Sequence, residues 1–407
     1  MLVLSGADLV LPDRVVEAGT LVIDGDRIAE IHQRSGSFAS SSATSLAGHC
    51  IVPGFIDVHV HGVEGVDTLD GGNAVAEIAA RLPRYGVTAF CPTTVACGPQ
   101  ALKGVLAQVS RARSTPSTRA ARVLPAHLES NFINPDYRGA QPLGCLRSPR
   151  PALAATGPRT SSDEDFNGAD ILREIEIGGA DVGIVTIAPE LDGGLDLTSW
   201  LAARGCRVSL GHSAAAYDEA KAAIALGARS ATHLFNRMPP LHHRAPGLVG
   251  AVLGSDEVAA EIICDGFHVH PAIVRAAVAA KRPSRICAIT DGTAAAGLAE
   301  GARTRLGGQP IAVGPSAAFL GDGTLAGSTL TMNRAFEVLV RTVGVSRVEA
   351  ATMCATTPAR ELGLSGYGVL ARDAFADLVV LDRNFSVVQT YIGGRLVHGP
   401  VTNVVSA

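Results

Sequence analysis

Through the middle of the chain run eight short apolar stretches, at 52–59, 87–92, 122–129, 182–187, 206–212, 230–233, 260–264 and 285–291. Five of them close on side chains that ligate metals or carry protons: His59, Glu129, His212, His233 and Asp291. The stretches are continuously apolar rather than alternating, the pattern of strands buried on both faces of a parallel sheet. Helical periodicity lies between or after them, as at 74–82, 217–226 and 330–343. Eight such units predict an α/β fold, a (β/α)8 barrel of the TIM type. A doubly wound open sheet is the rival, but no glycine-rich dinucleotide turn follows the first stretch. At 407 residues the chain can hold one such barrel or two to three ordinary domains.

The two ends read differently. Leu21-Val-Ile-Asp24-Gly25-Asp26 predicts a hairpin turning at Asp-Gly, and 386–398 predicts another turning at Gly393-Gly394. Neither end can bury a sheet alone, so the expectation is a small β-sandwich domain built from 1–52 and 361–407, flanking a barrel of 53–360. Residues 130–165, rich in Pro, Gly, Arg and Ser, are too long for a plain connection and predict a functional loop or lid. The serine-rich patch at 35–45 is expected to be a loop of the β domain.

Charge and cysteine usage exclude several functions. With 34 basic against 38 acidic residues the net charge is −4, and no basic block offers a footprint for nucleic acid. No apolar run reaches 18 residues, so no membrane partner is expected. The eight cysteines are dispersed, form no C-x-x-C pair and follow no secretory leader, which suits reduced thiols in the cytoplasm.

The polar stretch ends define a constellation. In Asp57-Val-His59-Val-His61-Gly62 the two histidines lie two residues apart, hence on one face of a strand, where they can chelate one ion. His127-Leu-Glu129, Gly211-His212-Ser213, Thr232-His233 and Thr290-Asp291 end their stretches at the same end of the barrel, where catalytic groups of this fold sit. His212 and His233 are one βα unit apart. Each alone reads as a core histidine or a capping carboxylate. Together they predict a site for divalent cations, with zinc or iron suited to imidazole and carboxylate. A cation there acidifies water and polarises a carbonyl, and Asp291 serves as general base and acid.

These motifs identify a family. Pro53-Gly-Phe-Ile-Asp57-Val-His59-Val-His61-Gly62 resembles the first barrel strand of the amidohydrolase superfamily. Within it, His127-Leu-Glu129, Gly211-His-Ser213, Thr232-His-Leu-Phe-Asn236-Arg237-Met238, Arg244-Ala-Pro-Gly247, Asp265-Gly-Phe-His268 and Gly323-Thr-Leu-Ala-Gly-Ser328 resemble the N-acetylglucosamine-6-phosphate deacetylase family. The resemblance implies hydrolysis of the acetamide of that phosphosugar. It implies a first cation on Glu129, His212 and His233 and a second on His59 and His61, bridged by Glu129, with Asp291 as base and further ligand. It implies that His268 hydrogen-bonds the substrate carbonyl and that Asn236, Arg237, His243 and Arg244 serve the phosphate. Arg244 is implied to come from a neighbouring subunit, so a homodimer is expected.

The chain departs from the family twice. Ser130-Asn131 stands where Gly-Pro is usual, and Gln141 where a substrate-binding histidine is common. Ser130 and Gln141 are therefore expected to face substrate, Gln141 without the capacity to carry charge. Cys145, near Arg138, Arg147 and Arg150 in sequence, is expected to be an ordinary loop thiol, with cation-lowered reactivity as the alternative. Hydrolases of cyclic amides that bridge their metals with a carboxylated lysine are a rival, but Glu129 holds the third-strand position here and no lysine lies nearby at a strand end. A non-catalytic scaffold is another, yet all six ligands, the base among them, are present.

Overall fold

The computed structural model describes residues 1–33, 43–155 and 162–400. Eight parallel strands form the barrel: Phe55–Val60, Val87–Thr94, Ala126–Glu129, Val182–Ile187, Arg207–Leu210, Ala228–Ala231, Ala259–Ile263 and Ile286–Ile289. We number them barrel strands 1 to 8. Each pairs with the next in parallel register. The seam between strands 8 and 1 closes at its carboxyl end, where Asp291 N–H donates to the His59 carbonyl (3.0 Å) and Val60 bridges Gly292. Asp57 staples that seam from inside: its carboxylate accepts from Thr290 Oγ1 (2.6 Å) and from the N–H groups of His59 and Thr290.

Amphipathic helices cover the barrel for the reason their spacing suggests. Helix Pro99–Ser114 buries Leu102, Val105, Leu106 and Val109, an i, i+3, i+4, i+7 stripe, and starts on proline, whose missing N–H costs nothing at that position. Phe55, Phe90, Phe132 and Phe336 are the largest fully buried side chains and fill the space within and around the barrel.

Both chain ends enter one continuous eight-stranded sheet. Its order is Arg395–His398, Val387–Ile392, Leu378–Leu381, Cys50–Pro53, Leu2–Val10, Val15–Asp24, Arg27–His32, with Thr44–Ser45 beside Leu2–Val10. The two ends meet where Leu378–Leu381 runs antiparallel to Cys50–Pro53. Leu4, Leu9, Leu21, Ile23, Ile28, Leu378 and Val380 give this sheet its own core. Both expected hairpins form, the first turning at Gly25-Asp26, one residue later than Asp24-Gly25, and Gly393 and Gly394 adopt φ of 55° and 71°, as a two-residue turn with both residues left-handed requires. Of the patch at 35–45, only 43–45 lie among the described residues.

The first apolar stretch is not one strand, as its continuity suggests, but two. Cys50–Pro53 belongs to the terminal sheet and Phe55–Val60 to the barrel. Gly54 divides them: its N–H donates to the Asp377 carbonyl (2.8 Å), and a Cβ there would lie 2.3 Å from Thr88 Oγ1. Asp377 also ties the two parts through a bidentate pair with Arg122 (3.0 and 3.1 Å).

An element absent from the sequence reading follows strand 8. Arg303–Leu306, Gln309–Val313, Ala317–Leu320 and Leu325–Ser328 form a four-stranded antiparallel sheet around Leu306, Ile311, Val313, Ala318 and Ala326. The signal was Gly307-Gly308 between short alternating segments, a hairpin turn with φ of 55° and 83°. This sheet leans over the barrel mouth. The 130–165 loop holds only short turns and the helix Pro149–Ala154 in its described part. No helix among the described residues is long and apolar enough to cross a membrane.

Candidate active site

The carboxyl ends of the barrel strands open into a cleft. Its wall includes His61, Glu129, Gln141, His212, His233, Asn236, Arg237, His268 and Asp291, with Leu306, Leu325 and Gly327 of the small sheet. His59 and Glu129 are set by the pleat of strands 1 and 3, which turns them inward, while His61 follows one residue after strand 1. His212, His233 and Asp291 lie just beyond strands 5, 6 and 8 in left-handed backbone, with φ of 47°, 29° and 48°. Non-glycine residues adopt that conformation at a cost of about 1–3 kcal/mol each, and such strain collects at functional sites.

The donor atoms converge. His59 Nε2 and His61 Nε2 are 3.2 Å apart, each 3.3–3.4 Å from Asp291 Oδ1. His61 Nε2 is 3.3 Å from Glu129 Oε2, and His59 Nε2 is 3.8 Å from Glu129 Oε1. On the other side, His212 Nε2 and His233 Nε2 are 3.0 Å apart and each 2.8 Å from Glu129 Oε1. Ligands at about 2.0–2.1 Å around a tetrahedral cation are about 3.3 Å from one another. The His59, His61, Asp291 and Glu129 set has that spacing, and the Glu129, His212 and His233 set is slightly tighter. Facing imidazole nitrogens cannot all be satisfied by the few protons available, so the residues present fit divalent cations.

Electrostatics agree. Burial opposes charge on Glu129, but His212, His233 and His61 around it hold its carboxyl well below the usual range. Asp291 is likewise held low against burial by His59 and His61. Burial alone would lower His61, yet hydrogen bonds to Asp291 and Glu129 raise it to about 10. His59 is pushed down to about 4 by burial. A site that in the absence of cations binds protons among carboxylates is one whose charge a cation can replace.

Remaining predicted residues divide. His268 lines the cleft; its Nδ1 hydrogen-bonds Asp265 Oδ2 (2.5 Å), and its buried Nε2 has no hydrogen-bond partner among the described residues. Asn236 and Arg237 line the cleft, Arg237 with φ 53°. Gln141 does too, but both ends of its amide are engaged: Oε1 accepts from Ala96 N–H (2.7 Å) and Nε2 donates to Glu129 Oε2. Ser130 does not line the cleft; its hydroxyl donates to the Thr186 carbonyl (2.5 Å), a bond across the barrel wall. His243 and Arg244 lie on an exposed loop at 241–245, outside the cleft of their own chain. Cys145 is raised, not lowered: burial outweighs the nearby Arg147, against a cation-lowered thiol. None of the chain's three lysines lines the cleft, which removes a carboxylated-lysine bridge.

Sequence reasoning missed two buried carboxylates beneath the donors, Asp57 and Glu261. Glu261 Oε2 is 3.0 Å from His59 Nδ1. Its signal was a lone charge within the apolar run Ala259-Ala-Glu261-Ile-Ile263.

A parallel barrel whose mouth gathers four histidines, a glutamate and an aspartate defines an amidohydrolase. The amidohydrolase family model matches residues 201–397. The chain is 37% identical to N-acetylglucosamine-6-phosphate deacetylase of Rattus norvegicus, over 97% of this chain and 93% of that protein. It is 34% identical to N-acetylgalactosamine-6-phosphate deacetylase of Escherichia coli O157:H7, over 87% and 89%. Among solved structures, a variant of N-acetyl-D-glucosamine-6-phosphate deacetylase from Mycobacterium smegmatis, in complex with N-acetyl-D-glucosamine 6-phosphate, superposes with a TM-score of 0.86 at 31% identity, covering 97% of this chain and 99% of that one. The chain belongs to the N-acetylglucosamine-6-phosphate deacetylase family of the amidohydrolase superfamily.

Proposed function

We propose that this chain hydrolyses the acetamide of N-acetylglucosamine 6-phosphate to glucosamine 6-phosphate and acetate. The observation that carries it is the pair of donor sets sharing Glu129, opening onto a cleft that also presents Asp291, His268 and Arg237. On this reading His59, His61, Glu129 and Asp291 hold one cation, and Glu129, His212 and His233 another, with zinc or iron suited to both. When bound, such cations acidify water and polarise a carbonyl oxygen.

The chain's own residues do the rest. Asp291 takes a proton from the attacking water, whose oxygen bonds the acetyl carbon. It then returns the proton to the sugar nitrogen as the C–N bond breaks. Asp265 accepts from His268 Nδ1–H, and a second proton on Nε2 of the imidazolium so paired donates to the substrate carbonyl and stabilises charge developing on its oxygen. Asn236 and Arg237 offer amide and guanidinium donors to the phosphate. Arg244, exposed on its own chain, reaches the phosphate in the cleft of a second copy, so the working unit is a homodimer. Leu241, Phe267 and Ile273, each about half exposed, supply apolar surface beside that loop. Eight free cysteines, seven of them buried, suit the reducing cytoplasm.

Acetate release from N-acetylglucosamine 6-phosphate by cation-replete protein tests the proposal. The unphosphorylated sugar and the galacto epimer, which the Escherichia coli relative's name brings in, are run alongside. Turnover that depends on the phosphate is expected. No acetate from either phosphosugar would refute the reading.

A further inference from the structure

Below the converging donors lies a second layer of buried polar groups. Glu261 projects from the middle of barrel strand 7 and is 2% exposed. A carboxylate in such a place is costly unless it answers a specific partner. Its Oε2 is 3.0 Å from His59 Nδ1, while Oε1 has no hydrogen-bond partner among the described residues and lies 3.9 Å from His127 Nδ1.

His127 does not need the charge. Its Nδ1 reaches the Val58 carbonyl (3.0 Å) and its Nε2 meets Thr186 Oγ1 (2.9 Å). Thr186 Oγ1 in turn contacts Thr232 Oγ1 (2.8 Å), and Thr232 contacts Ser209 Oγ (2.6 Å). A carbonyl only accepts, so His127 carries its proton on Nδ1 and accepts at Nε2. The hydroxyls then align as a chain of donors pointing at His127, which is complete and neutral. That leaves His59 as the partner of Glu261. A carboxylate beside Nδ1 fixes the proton there, and Nε2, 3.2 Å from His61 Nε2 and 3.4 Å from Asp291 Oδ1, must then present its lone pair.

We propose that Glu261 is a positioning residue for cation binding, which holds His59 in the Nδ1–H tautomer with Nε2 aimed at the His61–Asp291 side of the site. Among the donor side chains it hydrogen-bonds His59 alone, so its effect is expected on the donor set that contains His59, while His212 of the other set is held separately. His212 Nδ1 is held by the Tyr137 carbonyl (2.8 Å). The inference rests on the two-cation reading above and adds that the affinities of the two sets are tuned separately.

The test is a titration of cation-stripped protein with zinc against a competing chelator, without substrate, for wild type, Glu261→Ala, Glu261→Gln, His59→Ala and the double variant His59→Ala/Glu261→Ala. Loss of a partner of this kind weakens cation affinity about 10–100-fold. Glu261→Ala should weaken one class of site by that factor and leave the other unchanged. Glu261→Gln, which keeps an acceptor oxygen and nearly the same volume, should recover most of the loss and guards against misfolding of the alanine variant. In the His59→Ala background, Glu261→Ala should change nothing further. Wild-type affinity in both Glu261 variants, equal weakening of both classes, or a full additional loss in the His59→Ala background would each overturn the proposal. Absence of acetate release with these titrations intact would overturn the assigned reaction and not the role of Glu261.

Discussion

Replacing Gln141 by leucine separates a role in the cation site from contact with substrate. The side chain is buried and bonds in two directions, to Ala96 N–H and to Glu129 Oε2. Leucine fills similar space but leaves the Ala96 N–H, itself 1% exposed, without an acceptor, at a cost of about 1–3 kcal/mol. Glu129 Oε2 loses a donor as well, a bond to a charged group worth about 1.5–3 kcal/mol, partly offset because His61 Nε2 stays 3.3 Å away. Together these give about 2–4 kcal/mol in cation-free protein. Cooperative unfolding of a chain this long carries about 0.9 kcal/mol per degree, so the melting temperature should fall by about 2–5 °C. A cation on Glu129 replaces the lost donor but cannot serve Ala96, so the deficit should narrow to about 1–3 kcal/mol once cations are restored. Scanning calorimetry of both proteins, with chelator and with zinc, reads both numbers. A Gln141→Leu variant that melts within a degree of wild type in chelator would refute the two-way anchoring. An equal deficit in both conditions would refute its link to Glu129.

Asp291→Asn keeps the shape of the base and removes its proton-carrying capacity, so kcat for acetate release should fall about 10²–10⁴-fold; a variant with full rate would exclude Asp291 as the base. Asp377→Ala strands the Arg122 guanidinium and frees the Gly393 N–H that Asp377 accepts at 2.6 Å. Breaking a largely buried pair costs about 3–5 kcal/mol, and partial exposure of Arg122 argues for the lower end; a change below about 1 kcal/mol in denaturant unfolding would contradict it. His61 binds its proton up to about pH 10 in cation-free protein and up to about 6.5 when unfolded. That pairing therefore stabilises the cation-free fold fully below pH 6.5 and is lost as pH rises through 10. Zinc uptake at pH 8 in weak buffer should accordingly release protons, and uptake without release would show His61 already neutral.

The barrel was legible because its strands are buried on both faces and so stay apolar without interruption. Strands 2 to 8 fall within the stretches read from the sequence or within a few residues of them. His59, His61, Glu129, His212, His233 and Asp291 were legible by the same logic, as polar residues where such stretches stop. What stayed hidden depends on contacts between distant segments. Gly54 divides one apolar stretch because Thr88 and Asp377 crowd it. Ser130 turns into the wall because the Thr186 carbonyl lies there. Gln141 reads as a sugar ligand, and only the fold shows its amide also lying between Ala96 and Glu129. The small sheet at 303–328 escaped because its strands are four or five residues long and half exposed, with little apolar signal of their own.

Five of the six donors are placed by two different devices, and the difference bears on how the site holds together. His59 and Glu129 sit inside regular strands, where the pleat aims them inward at no conformational cost. His212, His233 and Asp291 each sit two residues past their strands in left-handed backbone, where side chain and turn are aimed together and each carries strain. Strained ends persist only where the surroundings leave them no alternative. For Asp291 those surroundings are visible: its N–H is bound by the His59 carbonyl, and its own carbonyl accepts from Ser328 N–H (2.9 Å). One residue earlier, Thr290 is gripped by the buried Asp57. The seam that closes the barrel is thus also the clamp on the Asp291 carboxylate. The small sheet contributes through Ser328, which reaches the same turn twice, since its Oγ also donates to the Thr290 carbonyl (2.5 Å). Barrel closure, the added sheet and the geometry of Asp291 are one structural problem with one solution, and substitutions at Asp57 or Ser328 should be felt at the reaction before they are felt in the fold.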